Sequence, residues 1–195
     1  MSQHGAGFFG KLPCAGDFLQ RRLPPSFVEP WDGHLSGLLA GAKECHGPSW
    51  TQAYAIGPLL AFVLAPGVCG AAGWAGVTAP ATDRVGRMFP MTVAAVPAQG
   101  HADAGWFTGA ALLLTEALAN PALDLDGFDR RVLALGQPRH PLPVSGGLWW
   151  PVLPAAERGP QFLLEGLPSL PIYLDWHKAV AAPAVGHDDI TERIA

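Results

Sequence analysis

Between Pro24 and His46 the apolar residues Phe27, Trp31, Leu35, Leu38, Leu39 and Ala42 recur at steps of three and four, which places them on one helical face. This is the clearest helix the pattern predicts. Pro25 and Ser26 stand at its start, where proline is tolerated and serine can cap. Pro30 falls early enough to tighten or shift that start, and Gly47-Pro48 ends the helix. A second helix is expected over Ala104–Ala119. Trp106, Ala110, Leu113 and Ala117 share one face, and Phe107, Ala111, Leu114 and Leu118 extend it so far that both faces are expected to be covered. A third is expected over Leu123–Leu135, with Leu125, Phe128, Val132 and Leu135 in phase. Shorter helices are expected over Trp50–Tyr54 and Gln161–Leu167.

Short apolar runs bounded by glycine and proline read as strands: Gly7–Pro13, Leu59–Leu64, Ala72–Thr78, Met88–Val96, Leu148–Leu153 and Ile172–Trp176. Pro90 implies that the Met88–Val96 strand begins at a bulge or runs along an edge, and Pro151 argues that Leu148–Leu153 is an edge strand. Trp149 and Trp150 then point to opposite faces, one into the core and the other open to a partner. Three successive strands with short connections favour an antiparallel meander. Together these elements predict an α+β fold, a single-domain sandwich with a mainly antiparallel central sheet flanked by helices. It is expected over residues 1–180, with a frayed end at 1–6 and a tail or linker at 181–195.

Composition sharpens this picture. Hydrophobic residues make up 49% of the 195 and charged residues only 14%, so the core is ample and part of the surface must be apolar, which favours partner contact. The net charge of −4, without a basic stripe, disfavours nucleic acid as a partner. No apolar run is long enough for a membrane span, and the N-terminus lacks the features of a secretory signal. Cys14, Cys45 and Cys69 are odd in number and far apart, a reduced, cytoplasmic pattern.

Two stretches concentrate glycine, charge and aromatic residues. In GFFGKLPCAGDF, Gly7 to Phe18, three glycines imply positive φ, a bulge or close backbone approach, and Lys11 and Asp17 flank a tight turn. In TDRVGRMFPMT, Thr82 to Thr92, Asp83, Arg84 and Arg87 surround Gly86. The two are expected to meet in space. Two readings of their charges stay open and can coexist. In one, Lys11, Arg84 and Arg87 present donors to a carboxylate or phosphate. In the other, Asp17 pairs with Arg84 or Arg87 and Lys11 with Asp83, pinning two loops. Arg21 and Arg22 are further exposed candidates. The partner-contact set is therefore Lys11, Asp17, Arg21, Asp83, Arg84, Arg87 and Trp150.

Other chemistry is weakly signalled. Cys14 beside Lys11 is either an activated thiolate or an inert loop cysteine, and no histidine lies near it in sequence to orient it. Cys45-His46 with Cys69 matches no zinc-finger spacing. Asp175, His177, Asp188 and Asp189 form a scattered set better explained as surface residues than as a metal site. No Walker loop or Gly-x-Ser-x-Gly motif occurs. No catalytic residue, metal or cofactor is assigned.

The Gly7–Phe18 stretch, Leu23-Pro24 followed by Phe27 and Trp31-Asp32, and Asp83-Arg84-Val85-Gly86-Arg87 with Phe89-Pro90 resemble the TagF (ImpM) family of type VI secretion accessory proteins. Phe62, Leu64, Gly67, Gly70 and Trp74-Ala75-Gly76-Val77 extend the resemblance, which is strongest over residues 7–96. This chain departs from the family pattern at Cys14 and Ala15, where Ser and Arg are usual, and at Met88, where an aromatic is usual. The resemblance implies a cytoplasmic, non-enzymatic, post-translational repressor of type VI secretion that sequesters a forkhead-associated-domain scaffold protein. It further implies a PP2C-type phosphatase in the same pathway, with Gly186–Thr191 as the start of a linker to such a neighbour. The rival functions are a small enzyme or an anion or phosphate-ligand sensor using Lys11, Arg84 and Arg87, and a structural subunit of the apparatus.

Overall fold

The computed structural model describes residues 5–152 and 160–181. Their elements run β1 (Gly7–Gly10), β2 (Leu19–Arg21), α1 (Pro25–His46), α2 (Trp50–Ala55), β3 (Leu60–Leu64), β4 (Trp74–Ala79), β5 (Met91–Ala95), α3 (Ala104–Leu118), α4 (Leu125–Ala134), β6 (Gly147–Pro151), β7 (Phe162–Leu164) and α5 (Leu170–Ala181). The strands form one sheet in the order β2-β1-β5-β4-β3-β6-β7, with every pairing antiparallel. The expected meander is its centre, and the α+β sandwich is the architecture.

Helices cover both faces of the sheet, which is why its central strands are buried at every position and largely apolar rather than apolar at alternate ones. Leu60, Phe62, Leu64, Trp74 and Trp149 pack with α1, α2 and α5. Ala61, Val63, Ala75, Val77, Ala79, Met91, Val93 and Trp150 pack with α3 and α4. The first layer is aromatic. Trp31 of α1 stacks on Phe27 at 5.4 Å and lies 4.8 Å from Phe62, and its Nε1–H donates to Thr92 Oγ1 at 3.0 Å. Thr92 in turn donates to Thr78 Oγ1 at 3.0 Å, so these buried hydroxyls are paired. The second layer mixes alanines, among them Ala61, Ala75, Ala79, Ala110 and Ala117, with larger residues such as Phe107 and Trp150.

Several expectations are corrected. Gln161–Leu167 holds the edge strand β7 rather than a helix, and Ile172–Trp176 lies inside helix α5 rather than in a strand. Pro151 does not mark an edge: β6 lies between β3 and β7, and Pro151 is its last residue, opposite Leu60. Nor does Pro90 put its strand at an edge, because β5 starts after it at Met91 and lies between β1 and β4. Ser26 does not cap α1; Pro24 occupies the cap position with no side-chain bond. The outer face of α3 exposes Leu112 and is not covered by the described residues. Residues 1–4, the tail from 182 and the Gly186–Thr191 linker lie outside the described residues, whereas Ala6 is fully buried rather than frayed.

The last helix closes an aromatic cluster. Trp50 and Tyr54 of α2 meet Tyr173 and His177 of α5, with ring centroids 4.4–6.2 Å apart. His177 Nδ1 lies 2.9 Å from the Tyr173 carbonyl, which can only accept, so Nδ1 carries the proton. Nε2 has no hydrogen-bond partner among the described residues and faces Gly57, where a Cβ would strike it. Burial lowers the His177 pKa, against the bond to Tyr173. It also raises those of Tyr54 and Tyr173, so the cluster is neutral.

Candidate functional site

The two glycine-rich stretches do meet. Antiparallel pairing of β1 with β5 places Phe9 opposite Thr92, and the loops at that end of the two strands come together. Two glycines permit the approach. Gly10 has φ +139, and a Cβ there would strike the Pro90 carbonyl; a Cβ at Gly16 would lie 3.2 Å from the Arg84 guanidinium.

The second loop is a hairpin. Phe89 N–H donates to the Ala81 carbonyl at 3.0 Å, Thr82 bridges Met88, and Asp83 N–H donates to the Arg87 carbonyl at 3.1 Å. Its three-residue tip, Arg84-Val85-Gly86, ends with Gly86 at φ +83, the left-handed position that such a turn demands. Below it, Tyr54 anchors the hairpin's base, donating its hydroxyl to the Ala81 carbonyl and accepting from Ala81 N–H at 2.9 Å.

Asp83 is the hub, only 3% exposed. Its Oδ1 accepts from Val85 N–H at 3.0 Å and Arg87 N–H at 2.9 Å. Its Oδ2 meets Arg87 Nε at 2.7 Å and Lys11 Nζ at 3.2 Å. Burial alone would raise its pKa, but the bonds from Arg87, Lys11 and Val85 outweigh that and hold the carboxyl well below the usual range. Lys11, itself buried, also lies 4.9 Å from the centroid of the Phe18 ring. Phe18 packs with Phe9 and Phe89 at 5.5 and 4.8 Å. Arg87 adds a bond to the Gly16 carbonyl, and Arg84 N–H donates to the Ala15 carbonyl at 2.8 Å.

The structure thus divides the expected residues. Lys11, Asp83 and Arg87 form the internal lock, including the expected Lys11–Asp83 pair. Asp17 does not pair with Arg84 or Arg87; its carboxylate accepts from Phe18 N–H at 2.8 Å. Arg84 is exposed and makes no ion pair with the described residues. Arg21 is exposed but opposite Phe8, farther along β2 from the junction, and donates to the Gln20 carbonyl. Its neighbour Arg22 is not an exposed candidate: at φ +59 it bonds the Ala6 carbonyl and pairs with Asp129 at 2.7 Å.

Trp150 is not at an edge and is only 8% exposed; it packs beneath Phe107 of α3 at 4.9 Å, while Trp149 is buried on the opposite face. Cys14 is half-buried, and burial raises its pKa, the opposite of an activated thiolate. Asp175 is exposed beside Lys178 whereas His177 points inward; Asp188 and Asp189 lie outside the described residues. Val85, 69% exposed, and Phe18, 42% exposed, were not singled out by sequence. An apolar residue between arginines at a glycine turn is the signal that would have marked Val85.

Around Arg84 the surface is therefore mixed. It carries one guanidinium without an ion pair among the described residues, the outer part of Arg87 and the Val85 side chain, and the exposed Phe18 lies just beyond Gly16, which faces Arg84. No helix among the described residues is long and apolar enough to cross a membrane.

Comparison with known proteins follows this geometry. Residues 7–135 match the family model described as TagF N-terminal domain, type VI secretion system-associated. This span contains the junction and ends before β6. A crystal structure of PA0076 from Pseudomonas aeruginosa PAO1 superposes with a TM-score of 0.74 at 29% identity, covering 97% of this chain and 100% of that one. No curated protein matches the sequence.

Proposed function

The chain belongs to the TagF N-terminal-domain family of type VI secretion system-associated proteins, and from that premise we propose that it is a cytoplasmic regulator which represses secretion post-translationally by protein binding. Its partner in this reading is the forkhead-associated-domain scaffold protein of the apparatus, which it sequesters. A PP2C-type phosphatase acts in the same pathway.

One observation carries the choice of binding over catalysis or small-anion sensing. Every backbone donor of the Arg84–Arg87 tip is already used inside the protein: Arg84 N–H by Ala15, Val85 and Arg87 N–H by the Asp83 carboxylate, and Gly86 N–H by the Asp83 carbonyl. A bare phosphate site is typically a concave nest of free N–H groups. This turn offers none; it offers an arginine beside apolar side chains, the composition of a protein interface. Cys14 adds no nucleophile, because burial favours its protonated form.

The test is secretion of a type VI effector in cells overproducing the chain, with a pull-down of the forkhead-associated-domain protein from the same system. Repression together with direct binding is expected. Repression without binding would remove the sequestration mechanism, and unchanged secretion would remove the repressor role.

A further inference from the structure

We infer that Arg84 and Val85 form the anchor of the interface, and that they take a carboxylate-bearing, partly apolar surface of a protein partner. This rests on the binding role proposed above and names the chemistry of its partner.

The tip is held rigidly. Asp83 fixes the turn through four donors, Ala15 holds Arg84 N–H, and Gly86 adopts the required left-handed φ. The tip is thus shaped before any partner arrives, and little ordering entropy remains to be lost on docking. The lock consumes the charge of Lys11 and one edge of Arg87, and it leaves Arg84 without a carboxylate among the described residues. A local excess of positive charge stands on a chain of net charge −4. A carboxylate complements that guanidinium bidentately.

Val85, next to Arg84 in the chain and 69% exposed, adds an apolar contact, and Phe18, 42% exposed, lies just beyond the Gly16 that faces the Arg84 guanidinium. A phosphate group would gain the guanidinium but none of the turn's amides, and it would leave both apolar side chains uncovered. The turn therefore suits an acidic protein surface better than a phosphorylated ligand.

The test uses the full chain and the forkhead-associated-domain protein, with affinity measured at low and moderate salt. Arg84→Glu and Val85→Ser change only exposed side chains, so unchanged melting curves are expected. Arg84→Glu weakens binding by about tenfold or more, and Val85→Ser by less. Raising the salt weakens the wild type more than Arg84→Glu. Arg130→Glu, an exposed reversal on α4, separates local from net charge and leaves affinity unchanged. Arg84→Glu binding within about twofold of the wild type would overturn the anchor while leaving the binding role intact. Failure of the wild type to bind overturns both. A thermal shift by inorganic phosphate that disappears in Arg84→Glu would overturn the choice of a carboxylate surface.

Discussion

Asp83 and His177 are almost equally withdrawn from water, at 3% and 2% exposure, yet the fold treats them in opposite ways. Asp83 keeps its charge, because Lys11, Arg87 and two backbone N–H groups converge on it. Burial lowers the pKa of His177, because Trp50, Tyr54, Tyr173 and Gly57 surround it with rings and backbone and no carboxylate among the described residues pairs with it. The first arrangement supports a surface turn, and the second seals a helix against the core. They are also linked: Tyr54 stacks beside His177 at 6.2 Å and holds Ala81 at the base of the Asp83 hairpin. A charged buried group demands named partners, whereas a neutral one needs packing and tolerates an orphaned lone pair.

Four measurements break or sharpen this contrast. The largest effect is expected from Trp50→Ala, which empties the middle of the neutral cluster. It should cost about 3–5 kcal/mol and lower Tm by on the order of 10 °C, with loss of near-ultraviolet aromatic dichroism. Asp83→Asn comes next. It leaves Lys11 without a counter-charge and loosens the tip, so Tm falls by several degrees. Hydrogen exchange at the Val85 and Arg87 amides accelerates more than exchange in β4. Uniform acceleration throughout the molecule would mean that the lock is not local.

Acid separates the two centres. His177 has a folded pKa below its unfolded value, so the unfolded state binds the proton first, and stability is lost as pH falls below about 6.5. The slope from this single site is at most about 1.4 kcal/mol per pH unit. Asp83 is also depressed, but for an acid the sign places its contribution above the unfolded carboxylate pKa. That contribution is lost only at much lower pH, as the solution passes down towards the folded value. Melting between pH 7 and 5 should therefore report the two histidines whose pKa burial lowers, His177 and His34, and His177→Gln should remove the His177 share of the slope there without altering the acid limb. The smallest effect belongs to Arg84→Ala. Its side chain is exposed and outside the lock, so the stability change should stay within about 0.5 kcal/mol. A larger loss would place Arg84 in the scaffold rather than on the binding surface.

The contrast also explains what could be read in advance. Glycine, aspartate and arginine in short order mark a charged loop, so the Lys11–Asp83 pair was one of two open readings of the motif, and the Asp17 pair expected with it does not form. The neutral cluster was not legible, because half of it sits on α5. Ile172–Trp176 is a short apolar run with no period of its own. Only its continuation, with Tyr173, Leu174, Trp176 and His177 on the buried side, reveals a helix. β7 failed in the complementary way: Phe162–Leu164 becomes a strand because β6 offers an unpaired edge, a partner distant in sequence.

Local sequence accounts for the long helices, the central meander and the cluster of charge around Gly86. These depend on local periodicity, glycine conformation and the short-range chemistry of one carboxylate. Tertiary structure alone decided the order of strands around that meander, the burial of both Trp149 and Trp150, and the division of one charged motif into a lock and a free arginine. Those outcomes depend on which groups the fold brings within reach of each other. Lys11 and Arg87 satisfy Asp83, so Arg84, adjacent in sequence, is the cation left facing solvent.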